Sequence, residues 1–79
     1  MSIKKVKLNG NNADIILRRM KAENVGVKIV YWSSNNFNFL KEYVVANDIH
    51  SNKDILNDGF EYFGLKHYED GMQDYYNVD

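Results

Sequence analysis

The sequence predicts a small α/β domain, with α+β as the alternative arrangement. Three observations carry that reading. Apolar residues recur with helical spacing at Ala13, Ile16, Leu17 and Met20. Short β-branched stretches flank that helix on both sides. Turn-forming Asn-Gly and Ser-Asn clusters separate the segments in a chain that contains no proline.

The first element is Ile3 to Leu8, a short strand with imperfect alternation. Asn9-Gly10-Asn11-Asn12 then forms a turn, where Asn11 or Asn12 caps a helix through its side-chain oxygen. Asp14 lies in the first turn of that helix and pairs with Arg18 at i+4. Asn24 to Gly26 closes it. Val27 to Trp32 is β-branched and aromatic almost throughout, as expected of a strand covered on both faces. Strand, helix and strand compose a βαβ unit whose two strands lie as parallel neighbours.

A second turn and cap, Ser33 to Asn36, introduces Phe37, Leu40, Tyr43 and Val44 at helical spacing. The competing hairpin reading uses the β propensity of Phe37, Phe39, Tyr43, Val44 and Val45; the spacing favours the helix. On a helix Phe39 falls about 200° from Phe37, which leaves one of the two rings exposed. Asn47 to Asn52 reads as a loop, and Ser51-Asn52-Lys53-Asp54 as a weak capping box. Leu56, Phe60 and Phe63 then line a third helix stopped by Gly64, or Asn57-Asp58-Gly59 turns the chain into an extra strand near 60–68. Residues 65–79 are an acidic, tyrosine-bearing segment, expected to be partly flexible.

Seventy-nine residues make one domain with a small core. The absence of cysteine removes disulfides, Cys-based metal sites and thiol catalysis, and it favours the cytoplasm. No apolar run approaches the roughly 20 residues of a membrane span, and no signal-peptide core follows the basic N-terminus. Asn, Lys, Ile, Tyr and Phe supply 11, 8, 6, 6 and 4 residues. Their codons are AT-rich, which points to a low-GC bacterial, phage or plasmid genome and a bacterial host cytoplasm.

Charge is divided along the chain. Lys4, Lys5, Lys7, Arg18, Arg19, Lys21 and Lys28 face only Asp14 and Glu23 in residues 1–28, a sum of +5. The remainder carries nine acids against Lys41, Lys53 and Lys66, a sum of −6, together with all 11 aromatic residues. No Walker loop, dinucleotide fingerprint, zincin helix or nucleophile elbow is present. Ser33, Ser34 and Ser51 sit in turn or cap contexts. His50, and His67 beside Glu69 and Asp70, fall short of a metal ligand set and read as solvated loop groups. The expectation is a non-enzyme with no cofactor and no metal.

Two binding surfaces follow. Tyr68, Glu69, Asp70, Asp74, Tyr75 and Tyr76 combine contact area with carboxylates that can take sites normally filled by phosphates. They point to a protein partner with a basic surface, such as a nucleic-acid-processing enzyme, met by nucleic-acid mimicry. The alternative uses Lys4, Lys5, Lys7, Arg18, Arg19 and Lys21 on nucleic acid directly, although that half lacks any aromatic to stack on a base. A homodimer in which the two signs meet is the third arrangement. Size and missing chemistry are similar in style to phage or mobile-element accessory inhibitors, a resemblance of type that no motif carries.

Overall fold

In the computed structural model, which describes residues 2–47, 53–72 and 74–78, five strands form one mixed sheet with two helices against it. The order along the chain is β1 (Ser2–Lys5), α1 (Ala13–Glu23), β2 (Ile29–Trp32), α2 (Ser34–Ala46), a 3-10 turn (Lys53–Asp58), β3 (Phe60–Tyr62), β4 (Leu65–Glu69) and β5 (Tyr75–Val78). The sheet order is β1-β5-β2-β4-β3. Only β2 and β4 pair in parallel, with Val30 opposite His67. The fold is therefore α+β, and the second helix prevails over the hairpin.

The expected βαβ unit needs one correction. β1 and β2 do run in the same direction, since each is antiparallel to β5, but they are not neighbours. β5 lies between them, pairing Tyr76 with Lys4 on one side and Trp32 on the other. The C-terminal residues thus supply an inner strand. The third-helix reading is also replaced. Gly59, at φ +110°, turns the chain out of the 3-10 segment into β3, and a Cβ there would collide with the Tyr68 ring. Phe63 (φ 60°) and Gly64 (φ 72°) make the two-residue connection of the β3–β4 hairpin. Two successive positive φ values are the type I′ signature, and Phe pays for the left-handed position where Asn would fit freely. Lys21 Nζ donates to the Phe63 carbonyl at 3.3 Å and lies 5.3 Å from the centroid of its ring.

Both helices contribute to one core. Leu17 and Met20 of α1 and Phe37, Leu40 and Val44 of α2 pack with Val30, Trp32, Leu65, Tyr76 and Val78 of the sheet. Phe37 is buried, and Phe39 is half-buried against Tyr43 at 5.9 Å. The radius of gyration is 11.4 Å, against about 12 Å for a domain of this length.

The asparagines before α1 serve the turn instead of the helix. Asn12 occupies the N-cap position without a side-chain capping bond. Its Oδ1 accepts from the Asn9 amide at 2.8 Å, while Asn9 Oδ1 accepts from the amides of Asn11 and Asn12. Asp14 does not pair with Arg18. Its two carboxylate oxygens accept the hydroxyls of Tyr43 (3.1 Å) and Tyr62 (3.0 Å), clamping α1 to α2 and β3. Burial, then the bond to Asp14, pushes the Tyr62 phenol up to about 12.

His67 is neither a solvated loop group nor free to ligate a metal. It is fully buried on β4. The Trp32 indole donates to its Nδ1 at 2.8 Å, and its Nε2 lies 2.9 Å from the Tyr62 carbonyl. That arrangement requires a neutral ring protonated at Nε2. Burial lowers its pKa to about 4. His50, the 48–52 loop and the Ser51-Asn52 part of the capping box lie outside the described residues.

Candidate interaction surface

Strand alternation sorts the sheet residues between two faces. Val30, Trp32, Phe60, Leu65, His67, Tyr76 and Val78 are buried beneath the helices. The intervening residues point the other way, and no helix among the described residues covers them. Asn77, Tyr31 and Tyr68 form one row across β5, β2 and β4. Glu61, Lys66 and Ile29 form a second, and Lys5 sits opposite Tyr75. The Tyr31 and Tyr68 rings stack at 6.0 Å and 30°. Both are half-buried by neighbours on the same surface.

Asn77 is the unusual member of this face. It is only 7% exposed, and its Oδ1 is buried with no hydrogen-bond partner among the described residues. A buried acceptor left unpaired costs about 1–3 kcal/mol.

One end of the sheet carries the acids. Glu69 and Asp70 are exposed where β4 ends, and Asp74 is half-buried just before β5. The segment joining them is tied to the start of α2. The Ser34 amide and hydroxyl both donate to the Gly71 carbonyl, at 2.7 and 2.6 Å. The Asp70 amide donates to the Trp32 carbonyl, and Asn35 Nδ2 to Asp74 Oδ1 at 3.3 Å. Ser33 is buried, and its hydroxyl accepts the Tyr75 amide at 3.2 Å. The Tyr75 hydroxyl donates to the Asp70 carbonyl. Partial burial, followed by the Asp70 charge, raises the Tyr75 pKa. These bonds hold the carboxylates on a fixed scaffold.

Five of the six residues read from the acidic segment therefore gather at one end of the sheet: Tyr68, Glu69, Asp70, Asp74 and Tyr75; Tyr68 and Tyr75 point to the open face, while Glu69, opposite Trp32, alternates to the helix side. Tyr76 turns to the opposite side, buried against Trp32 with ring centroids 5.3 Å apart. Tyr31 and Asn77 join the surface without having been anticipated. Alternation with Val30 and Trp32 was the available signal for Tyr31. Asn77 offered none until its segment was known to be a strand.

The basic residues divide. Alternation along β1 sends Lys4 to the helix side and Lys5 to the open face. Lys4 meets Glu23 at 3.5 Å. Lys21 is engaged at the β3–β4 hairpin. Lys7 and Arg18 are exposed. Only Lys4, Lys5 and Arg19 meet, lining a pocket of about 220 Å3 between β1 and α1 with Val6, Ile16, Glu23 and Tyr76. This is not a continuous basic track along one face.

No group of three or more His, Asp or Glu residues able to hold a metal occurs among the described residues. No described helix is long and apolar enough to cross a membrane. No family model matches the chain, and no curated protein or solved structure matches it.

Proposed function

We propose that the chain is a non-catalytic interaction protein, an inhibitor or modulator of phage or mobile-element type. Its partner is a protein with a basic surface, of the kind that handles nucleic acid. The observation that supports this most is the uncovered sheet face bearing Tyr31, Tyr68 and Tyr75, with Glu69, Asp70 and Asp74 clustered at the end of the sheet where β4 stops and β5 begins. Tyrosine contributes broad contact at low entropic cost, and fixed carboxylates select and steer cationic partners. The scattered placement of the basic side chains weighs against a nucleic-acid track.

The test is capture of a partner from a low-GC bacterial lysate, with and without nuclease, followed by affinity measurement on the purified pair. Asp70→Lys with Asp74→Lys should weaken binding about tenfold or more. Tyr31→Ala with Tyr68→Ala should do the same. Unchanged affinity in both pairs, or a capture that nuclease abolishes, would remove the proposal.

A further inference from the structure

The pocket between β1 and α1 lies on the helix side of the sheet, away from the tyrosine face, and its lining is chemically selective. α1 presents Ile16, Arg19 and Glu23 to it at i, i+3 and i+7, a single stripe of the helix. β1 presents Lys4, which stands opposite Tyr76 in the strand register. Val6 and Ile16 give apolar walls. Three cations, Lys4, Lys5 and Arg19, oppose one carboxylate, Glu23.

Tyr76 completes the arrangement. Its ring is buried against Trp32, yet its hydroxyl has no hydrogen-bond partner among the described residues. Burial raises its pKa, Lys4 opposes that shift and Glu23 adds to it, so the phenol sits in the field of both. It remains protonated at neutral pH and available as a donor. The existing Lys4–Glu23 contact, at 3.5 Å between half-exposed side chains, is a weak surface pair that a stronger anion displaces.

We infer that this pocket binds a single phosphate group, with Arg19 and Lys4 supplying the charge and the Tyr76 hydroxyl a directed hydrogen bond. A guanidinium, an ammonium and a phenol together match the several acceptor oxygens of a phosphate. The volume of about 220 Å3 is below the ~300 Å3 at which pockets for whole organic ligands begin. It holds the phosphate and the first atoms of its ester, while the rest of the molecule stays outside. The site does not depend on the proposed protein partner, since Lys4, Arg19 and Tyr76 lie off the tyrosine face and only Lys5 of the lining borders it.

The experiment is an NMR titration of the whole chain with inorganic phosphate and with glycerol phosphate, each against chloride at matched ionic strength. Saturable shifts at Lys4, Arg19 and Tyr76 with phosphate, absent with chloride, are the expected result. Arg19→Gln should weaken binding about 10-fold or more, through loss of a charge-assisted bond. Tyr76→Phe keeps the buried ring and should cost about fivefold. Glu23→Gln should tighten binding, because the competing carboxylate is gone. Thermal melts confirm that each variant is folded. A 5′-phosphorylated single strand that binds when its unphosphorylated twin does not would identify a nucleic-acid end as the source of the phosphate. Shifts that chloride reproduces, equal affinity in Arg19→Gln and Tyr76→Phe, or equal binding of the two strands without a response to inorganic phosphate would overturn the inference.

Discussion

On the helix-covered face of the sheet, buried polar groups find partners inside the fold; on the open face one of them does not. The Trp32 indole and both nitrogens of His67 are engaged there, and Asp14 accepts two tyrosine hydroxyls at the margin of the same core. Across the sheet, Asn77 Oδ1 is as thoroughly removed from water but has no partner among the described residues. Both faces obey the same desolvation physics. The difference is that one network is closed within the chain, whereas the other leaves an acceptor unpaired among the described residues. Satisfied polar groups hold α1, α2, β3 and β4 in register; an unsatisfied one contributes nothing to the isolated domain.

The largest expected break comes from acid. With a pKa of about 4 in the folded chain and about 6.5 when unfolded, His67 binds a proton more readily in the unfolded state between those values. Its contribution is complete above pH ~6.5 and falls away as the pH drops through 4, a loss on the order of 3 kcal/mol. Protonation also sets an N–H against the Trp32 indole N–H. Denaturant melts from pH 7 to 4 should show the decline. A stability unchanged across that window would mean that the core face is not closed as described.

That histidine also shows where sequence reasoning stops. The composition around His67 is polar and acidic on one side, so the residue reads as solvated. Its burial depends on β4 being flanked by β2 and β3, which no local pattern announces. The two helices were readable because their apolar stripes repeat over about two turns. β5 was not, because Tyr75-Tyr76-Asn77-Val78 is four residues long and its extended form is decided by partners on both sides. Tyr31 was hidden for another reason. A continuous β-branched and aromatic run suggests a strand covered twice, but tyrosine tolerates a half-open face. The carboxylates at residues 69–74 were visible as composition, and their fixed geometry, through Ser33, Ser34 and Asn35, was not.

A smaller effect tests the margin of the closed network. Asp14→Ala removes the acceptor for two phenols and should destabilise the domain by about 2 kcal/mol, from two bonds of about 1 kcal/mol each. The Tyr62 phenol should then titrate nearer its ordinary value, below the present value of about 12, which ultraviolet titration measures. A cost near zero would show that the clamp does not restrain α1.

The smallest effect has the opposite sign. Asn77→Val replaces an unpaired buried acceptor with a β-branched side chain suited to an inner strand, and should stabilise the isolated domain by about 1 kcal/mol. A higher melting temperature would separate the two faces most clearly. A lower melting temperature would mean that the Asn77 amide already serves the fold.

The position of β5 has a kinetic consequence. Among the described residues β1 has no sheet partner except β5, and their pairing joins Ser2 to Val78, 76 positions apart. The segment from β2 to β4 can organise around α2 through shorter loops. Closing β1 onto β5 carries the entropy of the longest loop available and adds contacts of high sequence separation. The domain should therefore assemble from its middle outward and refold slowly for its length, with the β1–β5 seam last to protect its amides from exchange.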